Sequence, residues 1–290
     1  RHQHRTSRRQ RQMCIRDRKR PPVLQSGSLQ TSNSYFCIMN IPEGKKVYFA
    51  SDNHLGAPTA EKSRIREKQF VAWLDSVKKD AAAIYLMGDL FDVWIEYRRV
   101  VPKGFVRVLG KLAELTDSGI PIYFFVGNHD MWMRGYFEEE LGIPVYYEPQ
   151  EITLNNKKLF IGHGDGLGPG DKGYKRLKKV FSNKLMQFLF RWIHPDLGLR
   201  FAQYLSLKNR LISGDEDKKY DGPDSEWLVH YCRKKLETRD LDYFVFGHRH
   251  MPLDIELPKN ARYINLGDWI EYNTYAVFDR DKLTLTTWDD

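Results

Sequence analysis

Five short stretches of the sequence place Asp, Asn and His residues directly after hydrophobic runs. They are Asp52-Asn53-His54, Gly88-Asp89, Gly127-Asn128-His129-Asp130, Gly162-His163-Gly164-Asp165 and Gly247-His248-Arg249-His250. Carboxylate and imidazole groups, with no cysteine among them, are ligands for hard divalent metal ions. One such stretch alone is typical of a turn, but five together indicate a shared metal site. Two metal ions about 3.5–4 Å apart can clamp an in-line displacement at phosphorus, which is one chemistry that such a site can perform.

Each stretch follows a run with the composition of a buried β-strand. The runs are Val47–Ala50, Ala83–Met87, Ile122–Val126, Leu159–Ile161 and Tyr243–Phe246. In open α/β sheets, ligands bind beyond the carboxyl ends of the strands, so five strand ends can converge on one site. Helical patterns at 61–80 and 103–118 separate the first three runs. This alternation predicts parallel pairing with right-handed crossovers.

The remaining elements complete an α/β (α+β) fold of two packed sheets flanked by helices. The turn Asn155-Asn156 predicts a hairpin between strands at 151–154 and 158–161. A helix at 134–141 and a strand near 144–147 are expected before it. The expected C-terminal elements are a helix at 224–237 and strands at 242–246, 253–257, 261–265, 273–279 and 282–288.

Residues 172–214 interrupt this succession of strands and are predicted to form a helical insert. The insert holds ten basic residues against a single acid, Asp196. Its apolar residues keep helical spacing through Trp192, and a second helix is expected after Pro195. One interpretation is an amphipathic helical hairpin packed on the domain. The other is a basic, apolar cap that takes up a lipid-bearing anionic substrate at a membrane surface.

The net positive charge of the chain comes from its first 20 residues. Of 46 basic and 38 acidic residues, nine basic and one acidic lie in 1–20, so 21–290 hold 37 of each. We expect 1–38 to be a disordered or non-native extension, and 39–290 to be the catalytic domain. The sequence has no apolar run of about 18 residues that would span a membrane. The three cysteines show no metal spacing and favour a reducing compartment.

The order of the site residues resembles the calcineurin-like metallophosphoesterase family from about Lys45 to Asp290. Further motifs narrow the resemblance: Leu90-Phe91-Asp92-Val93-Trp94-Ile95, Asp171 with Gly173 and Tyr174, and Leu266-Gly267-Asp268-Trp269. With the basic insert, they are similar to the UDP-2,3-diacylglucosamine diphosphatases of lipid A biosynthesis. That resemblance implies cleavage of UDP-2,3-diacylglucosamine to UMP and 2,3-diacylglucosamine 1-phosphate. It also implies Mn²⁺ as cofactor and peripheral binding at the cytoplasmic face of the bacterial inner membrane.

The same resemblance implies roles for single residues. One metal ion would bind Asp52, His54, Asp89 and His250. The other would bind Asp89, Asn128, His163 and His248, so that Asp89 bridges the pair. The implied substrate contacts are Asn128, His129, Asp171, Lys208, Arg210 and His248.

Four residues have expectations of their own: His129, Asp130, Trp94 and Trp269. His129 stands where better-known members of the family have Arg, and it is the candidate catalytic residue. We expect Asp130 to orient His129 or to cap the next helix. Trp94 and Trp269 are expected in the core.

Two alternatives stay open on the sequence alone. A soluble metallophosphoesterase acting on nucleotides or phosphoproteins would share the motifs but would need no basic, apolar insert. A nucleic-acid-binding protein would use the Arg-rich tail, but such domains carry their basic stripe on the fold. Because residues 21–290 are neutral, we expect no nucleic-acid partner.

Overall fold

The computed structural model describes residues 37–168, 172–213 and 220–289, without the side chains at 37, 172–174, 177 and 209–213. The predicted extension therefore lies outside the described residues, apart from its last two positions. Those two residues belong to a β-strand, so the sheet begins slightly before the predicted boundary.

In chain order the described elements are β1 (Cys37–Met39), β2 (Lys46–Ala50), α1 (Ala60–Val77), β3 (Ala81–Leu86), α2 (Val106–Asp117), β4 (Ile122–Phe125), α3 (Tyr136–Glu140), β5 (Val145–Tyr146), β6 (Gln150–Leu154), β7 (Lys157–Ile161), α4 (Lys172–Phe181), α5 (Lys184–Phe190), α6 (Pro195–Ser213), α7 (Trp227–Leu236), β8 (Tyr243–Phe246), β9 (Pro252–Glu256), a 3₁₀ turn (Pro258–Asn260), β10 (Arg262–Leu266), β11 (Thr274–Asp279) and β12 (Lys282–Thr287).

The strands form two sheets, as predicted. One sheet has the order β12-β11-β2-β3-β4-β5, and the other has the order β1-β6-β7-β8-β10-β9. Strands β2 to β5 pair in parallel, and β7, β8 and β10 also pair in parallel. The predicted hairpin is present between β6 and β7.

Alternation along the strands builds the layers of the core. Val47 and Phe49 of β2 pack between the two sheets, whereas Tyr48 and Ala50 face the helices α1 and α2. This division follows from the strand period of two. On the other sheet, Phe244 and Phe246 pack against α7. Trp94 and Trp269 are fully buried, as expected.

Local residues fix where the helices begin. Thr59 caps α1 by accepting a hydrogen bond from the Lys62 amide at 3.2 Å. Helix α2 begins at Val106 rather than 103. Phe105, which was expected inside it, has a left-handed backbone with φ 59° and packs its ring 4.9 Å from that of Phe91.

The insert contains three helices, where the spacing predicted two. The first expected helix breaks because Asn183 caps α5, its side chain accepting from the amides of Leu185 (2.9 Å) and Met186 (3.2 Å). One contact between the insert and the core is made by Trp132, whose indole Nε1 donates a hydrogen bond to Phe181 O at 2.9 Å. No helix in the described part of the chain is both long and apolar enough to cross a membrane.

Candidate metal centre

The predicted ligands come together where β2, β3, β4, β7 and β8 end. Backbone hydrogen bonds join the loops: the Asp52 amide donates to Gly88 O at 3.1 Å, and the Gly247 amide donates to His163 O at 2.9 Å. A Cβ atom at Gly247 would collide with the side chains of Ser51 and Asp52. Glycine is required there because the two loops approach so closely.

The first group of converging side chains contains Asp52, His54 and His250. The Nε2 atoms of the two imidazoles lie 3.1 Å apart. Asp52 Oδ1 is 3.7 Å from His54 Nε2 and 3.4 Å from His250 Nε2. Ligands of one cation are separated by distances of this size, since each metal–ligand bond is about 2.0–2.2 Å long.

The second group contains Asp89, Asn128, His163 and His248. Asp89 Oδ2 lies 3.3 Å from His163 Nε2. Asn128 Oδ1 lies 3.2 Å from His163 Nε2 and 2.9 Å from His248 Nδ1. The same Asp89 oxygen is 3.7 Å from His54 Nε2 of the first group, so Asp89 faces both groups.

The donor atoms fit divalent cations. Asp52 Oδ1 and Asp89 Oδ2 are buried and accept no hydrogen bond from any residue in the described part of the chain. A buried polar atom left this way costs free energy, which a cation between the two groups would recover. His163 Nδ1 lies 2.8 Å from Met87 O and donates a hydrogen bond to this carbonyl. The other ring nitrogen, Nε2, then carries the lone pair and is available to bind a metal ion beside Asp89.

The backbone of the centre is strained. Five of the converging residues have left-handed φ angles: Asp52 (57°), His54 (44°), Asp89 (53°), His248 (68°) and His250 (52°). Such angles are uncommon outside glycine and concentrate at functional sites. The loops therefore give up local stability to bring the side chains together.

The sequence matches the Calcineurin-like phosphoesterase family model over residues 45–252. The chain belongs to the calcineurin-like phosphoesterase family. It is 39% identical to a UDP-2,3-diacylglucosamine hydrolase of Porphyromonas gingivalis (strain ATCC BAA-308 / W83), over 84% of this chain and 98% of that protein. It is 30% identical to the protein of the same name from Yersinia pestis bv. Antiqua (strain Angola), over 71% of this chain and 85% of that protein. The structure of the phosphoesterase Yfce from E. coli aligns over 83% of this chain and 92% of that chain, with 18% identity and a TM-score of 0.43.

These findings confirm the predicted family and the predicted similarity to UDP-2,3-diacylglucosamine hydrolases. The fold matches the expectation of two sheets flanked by helices. The clusters of Asp and His also agree with the metal dependence that we expected of a phosphoesterase.

The buried carboxylates and imidazoles of the phosphoesterase centre shift one another's pKa values. Burial raises the pKa of Asp52, but His250 and His163 outweigh it and lower this pKa to about 2. Burial lowers the pKa of His163, but Asp89 and Asp52 outweigh it and raise this pKa to about 10. The pKa of His248 falls to about 4 because of burial and of the neighbouring His163. The two carboxylates that would hold a cation are therefore also the groups that raise the pKa of His163.

His129 lies at the edge of both groups. Its amide donates to Asp89 Oδ1 at 2.8 Å, and its Nδ1 donates to Asp92 O at 2.9 Å. Its ring meets that of His54 edge-on, with 4.7 Å between centroids. Burial lowers its pKa, which favours the neutral imidazole. The structure thus brings the predicted catalytic residue into the centre.

The carboxylate of Asp130 is held by backbone amides of the centre. Its carboxylate accepts from the Gly127 amide at 2.7 Å and from the Leu90 amide at 3.0 Å, so it joins two loops of the centre. The following helix α3 has Gly135 at its start and no side-chain cap. The expectation that Asp130 caps this helix is wrong, and its described hydrogen bonds go to the loop amides instead of the His129 ring.

The predicted substrate contacts outside the motifs stay predictions. Asp171 lies outside the described residues, as does the side chain of Arg210. Lys208 is exposed on α6. Of the predicted substrate contacts, Asn128, His129 and His248 are within the centre.

Further polar residues support the centre without having been predicted as site residues. Asp268 Oδ2 lies 3.3 Å from His250 Nδ1, and Ser51 Oγ donates to Asp52 Oδ2. Asp92 and Ser206 approach His129. Asp268 follows the buried strand β10, so the rule that identified the ligands also applies to it. Ser206 carries no such signal, because it lies within a helix.

Proposed function

We propose that this phosphoesterase hydrolyses the pyrophosphate bond of UDP-2,3-diacylglucosamine, giving UMP and 2,3-diacylglucosamine 1-phosphate. The observation that carries the proposal is its 39% identity along 98% of the P. gingivalis hydrolase of that substrate. The convergence of Asp, Asn and His side chains at five strand ends supports the same reaction. A soluble phosphoesterase that acts on nucleotides or phosphoproteins would need the metal-binding motifs but would have no use for the basic, apolar insert.

Two Mn²⁺ ions are the proposed cofactor, since oxygen and imidazole donors without thiolates suit this metal. The first would be held by Asp52, His54, Asp89 and His250. The second would be held by Asp89, Asn128, His163 and His248. When bound, such ions polarise phosphoryl oxygens and supply hydroxide near neutral pH by lowering the pKa of water.

The chain's own residues hold the donors and position the reacting phosphate. The His248 amide fixes the Asp52 carboxylate by donating to Oδ2 at 2.9 Å. His129 places an imidazole beside Asp89. In its neutral form the ring accepts a proton at Nε2, and once protonated it can donate a hydrogen bond to a phosphoryl oxygen or return that proton to the leaving group. Because its Nδ1 donates to Asp92 O, Nε2 is the nitrogen that carries the lone pair. Asp171, Lys208 and Arg210 are proposed to contact polar groups of the substrate.

The insert is proposed to bring the protein to the cytoplasmic face of the bacterial inner membrane and to receive the acyl chains. Many of its large apolar side chains are exposed, and Trp192 is 79% exposed. An apolar surface of this kind is typical of a membrane or partner contact. The same insert carries exposed basic residues, and each contributes about 1 kcal/mol near an anionic membrane. Among the side chains that the structure describes, the exposed basic ones are Arg176, Lys179, Lys184, Arg200 and Lys208.

Residues 1–38 are proposed to be dispensable. The catalytic domain would then consist of residues 39–290, with 172–214 as the cap over the site. Deleting 1–38 should leave the rate of hydrolysis unchanged, and a large loss on deletion would contradict this division.

The decisive experiment measures UMP release from UDP-2,3-diacylglucosamine by the Mn²⁺-loaded protein, beside hydrolysis of an aryl phosphodiester. We expect both activities in the intact chain. Cleavage of the aryl phosphodiester without any UMP release would contradict the proposed substrate and would leave only a general phosphoesterase.

A matched pair of variants tests the membrane contact. Trp192→Ser removes an exposed ring from the insert, while Val106→Ser removes a side chain that is 74% exposed elsewhere. Only the first should weaken sedimentation with anionic vesicles and raise KM for the acylated substrate. Equal effects of the two substitutions would count against a specific role of the insert.

A further inference from the structure

The loop that carries His248 and His250 is tied to the helix that precedes it in the chain. Arg249 lies between these two histidines, and its Nε donates to Glu226 Oε2 at 3.0 Å. Both residues of the ion pair are buried, with 9% of Arg249 and 2% of Glu226 exposed. Glu226 also caps α7, since its side chain accepts from the Leu228 amide at 3.4 Å. The ion pair therefore joins the loop to the start of a helix.

Two further contacts hold the same loop. Asn265 of β10 is fully buried, and its Nδ2 donates to Gly247 O at 2.6 Å. The ring of Trp227, the first residue of α7, meets the His248 ring edge-on, with 5.9 Å between centroids. The loop is thus fixed by a neighbouring strand and by a helix, in addition to its contacts within the metal centre.

The backbone of this loop needs such support. His248 and His250 have left-handed φ angles of 68° and 52°, and strained conformations of this kind persist only where the surrounding structure fixes them. The two side chains belong to different groups of donors: His248 Nδ1 lies 2.9 Å from Asn128 Oδ1, and His250 Nε2 lies 3.4 Å from Asp52 Oδ1. A loop that relaxed would therefore displace one donor from each group at once.

We infer that Arg249 is a positioning residue for both His248 and His250, and that its pairing with Glu226 holds the two imidazoles in place before a metal ion binds. A guanidinium suits this role, because it stays protonated and presents its donors in a rigid plane. Fixing the loop in advance lowers the conformational entropy that is lost when a metal ion binds. One buried ion pair then supports both proposed metal sites.

This inference rests on the proposed two-metal centre, but it does not depend on the acylated substrate. Its test uses Mn²⁺ binding by calorimetry and amide hydrogen exchange of the full chain before and after Mn²⁺ is added. The amides of Gly247 and His248 report on the loop, since they donate to His163 O and to Asp52 Oδ2, each at 2.9 Å. If the chain binds no Mn²⁺, the proposed cofactor fails, while exchange in the loop still measures the role of Arg249.

Arg249→Met keeps a long side chain and removes its charge and donors. We expect Mn²⁺ affinity to fall roughly 10–100-fold, with both bound ions affected. Exchange of the Gly247 and His248 amides should accelerate roughly tenfold or more, the factor that corresponds to a lost hydrogen bond between charged groups. Arg262→Met is the matched control, because Arg262 at the start of β10 pairs with Asp254 through bonds of 3.0 and 2.6 Å. The control should keep parental Mn²⁺ affinity and parental loop exchange.

A double variant separates positioning from stability. Arg249→Met leaves the Glu226 charge buried alone and should lower Tm, whereas adding Glu226→Gln removes that charge and should restore most of the Tm. Mn²⁺ affinity and loop exchange should stay at the values of Arg249→Met, because the loop is still untied. Recovery of Mn²⁺ affinity together with Tm would overturn the inference, since the ion pair would then serve stability alone.

Glu226→Gln by itself stays informative if Arg249→Met does not fold. It keeps the shape of the side chain that caps α7 and weakens only the bond to Arg249. We expect Mn²⁺ affinity to fall by up to roughly tenfold, with faster exchange of the loop amides. Parental Mn²⁺ affinity and parental loop exchange in either single variant would overturn the positioning role.

Discussion

Removing the Asp89 carboxylate is the most direct perturbation of the two-metal centre. Its Oδ2 lies 3.3 Å from His163 Nε2 in one group and 3.7 Å from His54 Nε2 in the other. Its Oδ1 accepts the His129 amide. Asp89→Ala therefore removes a proposed ligand from both metal ions and also releases the backbone at the candidate catalytic residue.

The size of the loss follows from this double role. Losing a group that only orients a metal ligand costs about 10–100-fold in affinity or activity. Asp89 is itself a proposed ligand, and it serves both sites. Two losses of that size multiply to about 10²–10⁴ in kcat/KM, with about a thousandfold as the central expectation.

The assay follows aryl phosphodiester hydrolysis at saturating Mn²⁺, together with metal content per chain. Asp89→Asn keeps the shape of the side chain and separates loss of charge from loss of volume. Glu67→Ala is the control for burial, because this buried carboxylate accepts the Arg107 amide at 3.0 Å and serves α2. Near-parental turnover of Asp89→Ala with two Mn²⁺ ions bound would refute the two-metal assignment.

The remaining predictions concern the catalytic residue, the insert and the cofactor. His129→Ala should lower kcat roughly 10²–10⁴-fold with metal content intact, and His129→Arg should retain much activity if phosphate contact is its role; loss of metal would make it a structural residue. Replacing 172–214 by a Gly-Ser linker should nearly abolish turnover of the diacylated substrate and weaken binding to anionic vesicles, while aryl phosphodiester hydrolysis stays measurable; an unchanged rate on the acylated substrate would contradict a cap. Mn²⁺ at about a hundred times its Kd should stabilise the fold by about 2.7 kcal/mol for each occupied site, which corresponds to roughly 5–10 °C in Tm per site by calorimetry. Burial lowers the pKa of His163, but Asp89 and Asp52 outweigh it and raise this pKa to about 10. Because His163 must lose its proton to bind metal, each unit of lower pH should weaken Mn²⁺ binding by up to about tenfold. Binding of Mn²⁺ that does not change with pH would refute this competition between proton and metal.

The sequence predicted the ligand groups because their positions depend on a general rule of sheets. Asp52, Asp89 and Asn128 follow three strands that pair in parallel, so their ends had to meet at one edge. Whether the second sheet would present His163 and His248 to the same edge could not follow from periodicity alone. It depends on how the two sheets pack, and family resemblance supplied that expectation.

Contacts between distant segments were beyond the reach of sequence patterns. Asp130 was expected to act on its neighbour, yet it bonds to Leu90, which lies on another loop. Ser206 sits in a helix of unremarkable pattern, and only the docked position of α6 brings it to Asp92. The break of the first insert helix at Asn183 was missed because the apolar spacing continues across it, while the cap is a side-chain hydrogen bond.

The left-handed backbone of the five site residues restricts which amino acids can replace them. Asn, Asp and His enter that conformation more readily than other residues with a side chain. The same three types also supply oxygen and imidazole donors to hard metal ions. Backbone conformation and metal coordination therefore favour the same three residue types. Exchanges among Asp, Asn and His at Asp52 or His250 change the donor atoms with little added backbone strain. Alanine at these positions imposes both penalties at once, so exchange among Asp, Asn and His is the cleaner route to retuning metal preference.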